Sequence, residues 1–135
     1  MTAFTPVQEL RLVLTVKDYD RAKAYYQDLL GRDAVQAWES PEGRVVILEA
    51  GRATLELVDE QQAAVIDQVE VGRRVSGPVR LALGFGDVTP VIERAASGGG
   101  TLVNPPVVTP WRSRNARVIA PDGMQVTLFA DAKPE

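Results

Sequence analysis

The chemistry open to this chain is limited first by two missing residue types, because it contains neither histidine nor cysteine. Zinc, iron and copper prefer imidazole or thiolate ligands, so the composition argues against a centre of that kind. A Ser-His-Asp triad and a cysteine nucleophile are excluded for the same reason. The remaining groups are carboxylates, guanidinium groups and aromatic rings, which favour ligand binding or metal-free acid–base chemistry.

Strand alternation collects several of these groups on one surface, because successive side chains of a strand point to opposite faces. Strand-like runs lie at residues 10–16, 53–58, 79–85 and 124–129. Their polar sets include Arg11, Glu56, Arg80 and Thr127, and leucine-rich sets oppose them. We expect the leucine-rich sets to cover helices and the polar sets to line a cleft.

The elements that carry these residues repeat along the chain as a strand, a helix and three strands. Asp87 lies 69 residues after Asp18, before the predicted helices, and Gly100 lies 69 residues after Gly31, at their ends. These spacings suggest duplication, although such caps and stops are common. We predict a single domain over residues 1–135, with module 1 at about 7–58, a connector at 59–78 and module 2 at about 79–131.

The connector carries a pattern compatible with a short helix over residues 61–69. Its carboxylates Asp67 and Glu70 are interpreted as a solvated pair, because no proton acceptor or substrate geometry is evident beside them. Arg73 and Arg74 are interpreted as surface residues or dimer contacts.

Several motifs resemble the vicinal oxygen chelate superfamily, which contains the glyoxalases, bleomycin-resistance proteins and extradiol dioxygenases. The resemblance covers about residues 10–130. It rests on the order and spacing of six short motifs: Val16-Lys17-Asp18, Ala24-Tyr25-Tyr26, Leu29-Leu30-Gly31, Thr54-Leu55-Glu56-Leu57, Gly86-Asp87 with the glycine run that follows, and Pro121-Asp122-Gly123 before the last strand. It implies an α+β fold of two βαβββ modules, whose curled mixed sheets surround a ligand cleft. It also implies a homodimer.

In metal-dependent members of that family, ligands lie in the first and last strands of a module. The resemblance places Arg11 and Arg80 where first-strand ligands would stand, and it matches Glu56 to a glutamate ligand. Thr127 replaces the closing glutamate. Since arginine has no lone pair to offer and repels a dication, the matched positions predict no metal site and no cofactor.

Three interpretations of Arg11, Arg80 and Glu56 stay open. An ion pair between Glu56 and one or both arginines would take the place of the metal as a structural contact. Alternatively, one guanidinium stays free in the cleft and grips a carboxylate, sulfate, phosphate or polarised carbonyl through two parallel hydrogen bonds. In the third interpretation, an arginine points out at the rim of the sheet and has no role.

Aromatic residues supply further candidate contacts. Trp111 with Arg114 resembles the cleft-lining segment of bleomycin-resistance proteins, although Arg112 stands where glycine is frequent. Trp111 could stack on a planar ligand and Arg114 could add charge. Trp38 and Phe85 are further cleft candidates, and both tryptophans could instead belong to the core or a dimer interface.

The predicted function is therefore metal-free binding of a small organic ligand, such as antibiotic sequestration or metabolite binding, with no catalytic residue assigned. The alternative is a lyase, isomerase or dioxygenase-like enzyme that uses Glu56 with or without a recruited metal. With 15 Lys+Arg against 18 Asp+Glu and no block of like charge, nucleic acid and membrane surfaces are not expected partners. No targeting or membrane-spanning segment is evident, so a cytoplasmic location is expected.

Overall fold

A computed structural model describes residues 6–31 and 33–132 and contains one mixed sheet with three helices in these ranges. The elements in chain order are β1 (Glu9–Val16), α1 (Tyr19–Leu30), β2 (Ala34–Ser40), β3 (Gly43–Glu49), β4 (Thr54–Asp59), α2 (Glu60–Glu70), β5 (Val79–Gly84), α3 (Thr89–Ser97), β6 (Thr101–Val108), β7 (Ser113–Ile119) and β8 (Gln125–Asp131). The predicted α+β class and the repeated βαβββ order are confirmed. None of these helices is long and apolar enough to cross a membrane.

The sheet joins the two modules at their first strands. Its order is β2-β3-β4-β1-β5-β8-β7-β6, with β1 parallel to β4, β5 parallel to β8, and β1 antiparallel to β5. At the junction Leu12 pairs with Leu81, and these two residues are separated by the same 69 positions that relate the two halves of the sequence. The two outermost strands are β2 and β6. Register shifts in β6 flank Pro105 and Pro106, which have no backbone N–H to donate.

Helices α1 and α3 cover the leucine-rich side of the sheet. Asp18 caps α1 by accepting a hydrogen bond from the Arg21 backbone N–H at 3.2 Å, and Gly31 ends the helix with a φ of 68°. Both features were predicted from the sequence. The α1 core includes Tyr19, Leu48 and Leu57, whereas α3 packs over a second core formed by Phe85, Val88, Val91, Val118, Val126, Leu128 and Ala130.

Helix α2 lies on the opposite side and contacts both modules. Its Ala63 and Ile66 pack against Val13, Val58 and Ala82. The helix has 11 residues, so it is about 16 Å long. It contacts both β3 and β6, whose separation across a flat sheet would be about 29 Å. The sheet must therefore curl around α2, and the side that holds this helix is its concave face.

The predicted connector helix thus exists, but the structure places it inside the expected cleft. It starts without a loop after β4, because Asp59 ends the strand and also caps the helix by accepting a hydrogen bond from the Gln62 backbone N–H at 2.8 Å. Periodicity predicted this helix, yet it gave no indication of the surface on which the helix packs.

Gly43 permits the close approach of α2 to β3, and its substitution tests this placement. A Cβ on Gly43 would lie 2.6 Å from the Gln62 backbone nitrogen, and the glycine φ of 155° is unfavourable for other residues. We expect Gly43→Ala to lower the free energy of unfolding by about 2 kcal/mol or more in urea denaturation. Gly77→Ala is the matched control, because its Cβ would meet nothing within 4 Å. Equal effects of the two substitutions would contradict the packing of α2 against β3.

Candidate ligand-binding site

Four polar residues singled out in the sequence lie together on the concave face, in two pairs. Arg11 Nη1 donates to Glu56 Oε1 at 3.4 Å, and Arg80 Nη1 donates to Thr127 Oγ1 at 3.0 Å. The contacts cross between β1 and β4 and between β5 and β8, the parallel pairs at the centre of each module. Because alternation and strand pairing put all four side chains on one face, the two pairs stand on either side of the module junction.

The first pair belongs to a group that we call the open half, formed by Glu9, Arg11, Thr54, Glu56 and Phe129. Arg11 Nε donates to Glu9 Oε2 at 2.5 Å, and the guanidinium lies 4.7 Å from the centre of the Phe129 ring. Burial lowers the pKa of Arg11, but the hydrogen bond to Glu9 and the charge of Glu56 outweigh it, so that the pKa is raised. Arg11 therefore follows the ion-pair interpretation and holds two carboxylates beside an aromatic ring.

Gly84 allows Phe129 to take this position. A Cβ on Gly84 would lie 2.8 Å from the Phe129 ring and 3.3 Å from Glu9 Cβ. The ring consequently lies across β5 and reaches Arg11 on the neighbouring strand. Here glycine is required by the close approach of a side chain.

On the module 2 side, the concave face is occupied by a buried ionic group that we call the carboxylate cluster. Its acids are Asp67 and Glu70 of α2, which are 1% and 2% exposed, and its central base is Arg117 of β7, with no exposed surface. Arg117 Nη1 lies 3.1 Å from Asp67 Oδ1, and its Nη2 lies 2.9 Å from Glu70 Oε1. The interpretation of Asp67 and Glu70 as a solvated pair is wrong, because α2 faces the sheet with these side chains inward.

Each of the two carboxylates accepts several hydrogen bonds. Glu70 accepts from Thr127 Oγ1 at 2.8 Å and from Asn115 Nδ2 at 2.9 Å, in addition to Arg117. Asp67 accepts from Arg117, from Arg74 Nη1 at 3.0 Å, from the backbone N–H groups of Val75 and Ser76 at 2.8 and 2.7 Å, and from Ser76 Oγ. Buried charges with this many partners are compensated for the loss of water. They also join α2, the loop that follows it, β7 and β8 in one network.

Two of the other predicted site residues are not on the concave face. Phe85 belongs to the core under α3. Arg114 is exposed and alternates along β7 with Asn115, which contacts Glu70 on the concave face, so Arg114 points to the opposite side. The structure therefore does not bring Phe85 or Arg114 together with the other candidates.

Both tryptophans are at the surface, with Trp38 59% and Trp111 45% exposed. Trp38 pairs with Val45, which packs in the core beneath α2, so Trp38 lies at the outer rim of the concave face. Trp111 lies in the turn before β7, beside Arg112, whose φ of 68° is a left-handed conformation unusual for a non-glycine residue. That conformation explains why glycine would suit position 112.

Glu9, Phe129 and Arg117 also belong to the site and were not predicted from the sequence. Alternation could have found Glu9, because it shares a face with Arg11, and Phe129, because it shares a face with Thr127. Arg117 could have been found only by knowing that α2 brings two carboxylates to β7. That information lies in contacts between residues about 50 positions apart.

The donor set does not fit a divalent cation. Two of the four matched positions are arginines without a lone pair, and Glu56 is paired with one of them. Across residues 6–31 and 33–132, no group of three or more histidine, cysteine, aspartate or glutamate side chains is placed to hold a metal ion. Thr127 carries no carboxylate, and the carboxylate of Glu70 beside it accepts hydrogen bonds from the threonine hydroxyl and from Arg117.

These features coincide with a match to a family model, and the chain belongs to the Glyoxalase/Bleomycin resistance protein/Dioxygenase superfamily, whose model matches residues 10–128. No curated protein sequence matches the chain. Its family membership therefore comes from the family model.

Solved structures share the fold at low sequence identity. Methylmalonyl-CoA epimerase from Mycobacterium tuberculosis is 23% identical with a TM-score of 0.67, over 98% of this chain and 94% of that one. A hypothetical protein from Bacillus halodurans C-125 is 13% identical with a TM-score of 0.69, over 97% and 99%. A superfamily member from Vibrio splendidus 12B01 is 16% identical with a TM-score of 0.62, over 93% and 100%. At these identities the likeness establishes the fold alone.

Asp67 gives the chain a specific sensitivity to acid. Burial raises the pKa of this carboxyl, but the hydrogen bonds from Ser76 and Val75 and the charge of Arg117 outweigh it and lower the pKa from 3.8 to about 2. A lowered pKa contributes stability that is present above about pH 4 and lost as the pH falls towards 2. We expect a loss of about 2 kcal/mol over this interval in the free energy of unfolding, measured by urea denaturation.

The matched variants for this prediction are Asp67→Asn and Asp28→Asn, the second at an exposed position of α1. Asp67→Asn should reduce the dependence of stability on pH between 4 and 2, whereas Asp28→Asn should keep the wild-type dependence. If Asp67→Asn retains the full acid-induced loss, another group is responsible for it.

Arg117 should be among the most sensitive positions of the chain. Arg117→Met leaves Asp67 and Glu70 buried without their shared cation, which we expect to cost about 3–5 kcal/mol of unfolding free energy. Arg114→Met removes an exposed arginine from the same strand and should change stability by less than about 0.5 kcal/mol. Thermal and urea unfolding followed by circular dichroism would compare them. A similar small effect of both substitutions would show that the cluster does not hold α2 in place.

Proposed function

We propose that this chain binds a small organic molecule on its concave face without a metal centre. The observation that carries the proposal is the occupation of the matched metal-ligand positions by Arg11 and Arg80, with Glu56 already paired to Arg11. Family membership supplies the ligand-binding scaffold. Sequestration of an antibiotic and storage or transport of a metabolite are both compatible with this arrangement, because neither requires a reactive group.

The open half is the proposed seat of the ligand, because α2 covers the other side of the concave face. Glu9 and Glu56 each hold further lone pairs that can accept hydrogen bonds from ligand amines, amides or hydroxyls. The stacked Arg11 and Phe129 provide a flat apolar and cationic surface.

We also propose that the chain forms a homodimer. Leu10, Leu12 and Val79 lie on the leucine-rich face at the junction of the modules, where all three are more than a third exposed. An apolar stripe of this kind supports association with a second copy. The stripe lies where corresponding residues of the two modules meet. This position suits a two-fold symmetric interface, in which each copy contributes the same surface.

Tryptophan fluorescence provides a direct test of ligand binding, because the chain has two tryptophans and both are exposed. A panel of planar antibiotics and aromatic metabolites should contain a compound that changes the emission saturably. The change should survive EDTA, and mass spectrometry should recover the compound unaltered. Trp38→Phe and Trp111→Phe would show which of the two tryptophans gives the change in emission. A panel without any saturable response, or binding that EDTA abolishes, would be evidence against the proposal.

The same experiment addresses an enzymatic alternative. Glu56 is 8% exposed, and among the described residues its carboxylate makes a single long contact, to Arg11 at 3.4 Å, which leaves it able to accept a proton from a substrate. An enzyme would convert the bound compound, and Glu56→Gln would then stop conversion while the compound still bound. Unaltered recovery from the wild-type chain would favour binding alone.

A further inference from the structure

Three arginines of the sheet point into the concave face, and they differ in their counter-ions. Arg11 contacts Glu9 and Glu56, and Arg117 contacts Asp67 and Glu70. Arg80 has no carboxylate within ion-pair distance among the residues that the structure describes. It is nevertheless only 6% exposed. A buried guanidinium without a direct counter-ion is unfavourable unless another group compensates it.

The hydrogen bonding of Arg80 leaves one edge of its guanidinium available. Nη1 donates to Thr127 Oγ1, whereas Nε and Nη2 make no hydrogen bond to a described residue. No fully buried side-chain nitrogen or oxygen in the described ranges lacks a partner. Nε and Nη2 therefore each keep some solvent-accessible area, and a small group would approach Arg80 on this side.

The available edge is the one through which arginine forms two parallel N–H···O hydrogen bonds to a carboxylate. Nε and Nη2 point the same way and match the spacing of carboxylate or oxyanion oxygens. Arg117 uses this edge within the same sheet, since its Nε and Nη2 lie 3.2 and 2.9 Å from Glu70 Oε1. Burial lowers the pKa of Arg80, and Glu70 and Glu56 oppose this effect at longer range. An anion at the edge would supply the direct compensation that is missing.

We propose that Arg80 binds an anionic group of the ligand, a carboxylate or similar oxyanion, through Nε and Nη2. The inference rests on the proposed binding function and adds the chemical class of the ligand. Such a ligand would carry its acid towards Arg80 at the centre of the sheet and its planar part towards Arg11 and Phe129.

Sodium benzoate is a suitable probe of the proposed Arg80 site. Benzamide serves as its neutral isostere, and sodium sulfate serves as an inorganic oxyanion. Sodium chloride is added so that all solutions have the same ionic strength. Nuclear magnetic resonance of arginine Nε–H groups reports binding at each guanidinium. We expect benzoate to shift the Arg80 signal saturably, benzamide to leave it unchanged, and the Arg117 signal to move little because Glu70 occupies its edge. Arg80→Lys keeps the charge and loses the paired donors, so benzoate affinity should fall about tenfold or more.

Arg114→Met is the control, because it removes an exposed arginine on the other face and should bind benzoate as the wild type does. Equal shifts with benzoate and benzamide, or unchanged affinity in Arg80→Lys, would overturn the inference. A sulfate response as strong as that of benzoate would support an anion site but would refute its assignment to an organic acid. If a neutral compound still changes tryptophan emission while Arg80 does not respond to benzoate, the inference fails and the binding function stands.

Discussion

The position of α2 on the sheet depends on the ion pairs that Arg117 makes with Asp67 and Glu70. The Arg117 guanidinium has no exposed surface and joins Asp67 to Glu70. Since both acids belong to α2, these contacts hold the helix to β7 across the concave face. Apolar contacts of Ala63 and Ile66 could form over a range of helix positions, whereas the hydrogen bonds of two buried carboxylates have narrow geometric limits. The ionic contacts therefore specify the position of α2 more closely than the apolar contacts do.

Much of the fold follows from local patterns. Asp18 and Gly31 bound the first helix because a side-chain acceptor and a left-handed glycine act within one turn of chain. Alternation places Arg11, Glu56, Arg80 and Thr127 on one face for an equally local reason. The sequence pattern could not predict the side of the sheet on which α2 packs, because a periodic helix is compatible with packing on either side. The interpretation of Asp67 and Glu70 as solvated was wrong for this reason. Their burial depends on β7 and on the loop that carries Val75 and Ser76.

The two modules differ in what fills their concave sides. In module 1, Arg11 pairs with acids of its own sheet, and the surface stays partly accessible. In module 2, the acids come from α2 and cover the surface around Arg117 and Thr127. The module 1 side thus keeps more space beside its charged residues, and on the module 2 side the uncovered donors are those of Arg80. The preserved fold with a changed donor set illustrates that chemistry in such scaffolds resides in a few side chains and can be replaced without altering the sheet.

The proline pair in β6 has a consequence for how copies of the chain can associate. An outermost strand with unpaired N–H and C=O groups can recruit another strand, and sheets with two such borders can polymerise without limit. Neighbouring residues of a strand direct their N–H groups to opposite sides, so Pro105 and Pro106 remove one donor from the free border and one from the side facing β7, where the register shifts. Strand addition is therefore less favourable at the β6 border than at a regular outermost strand. A weakened border of this kind acts against unlimited edge-to-edge pairing of copies.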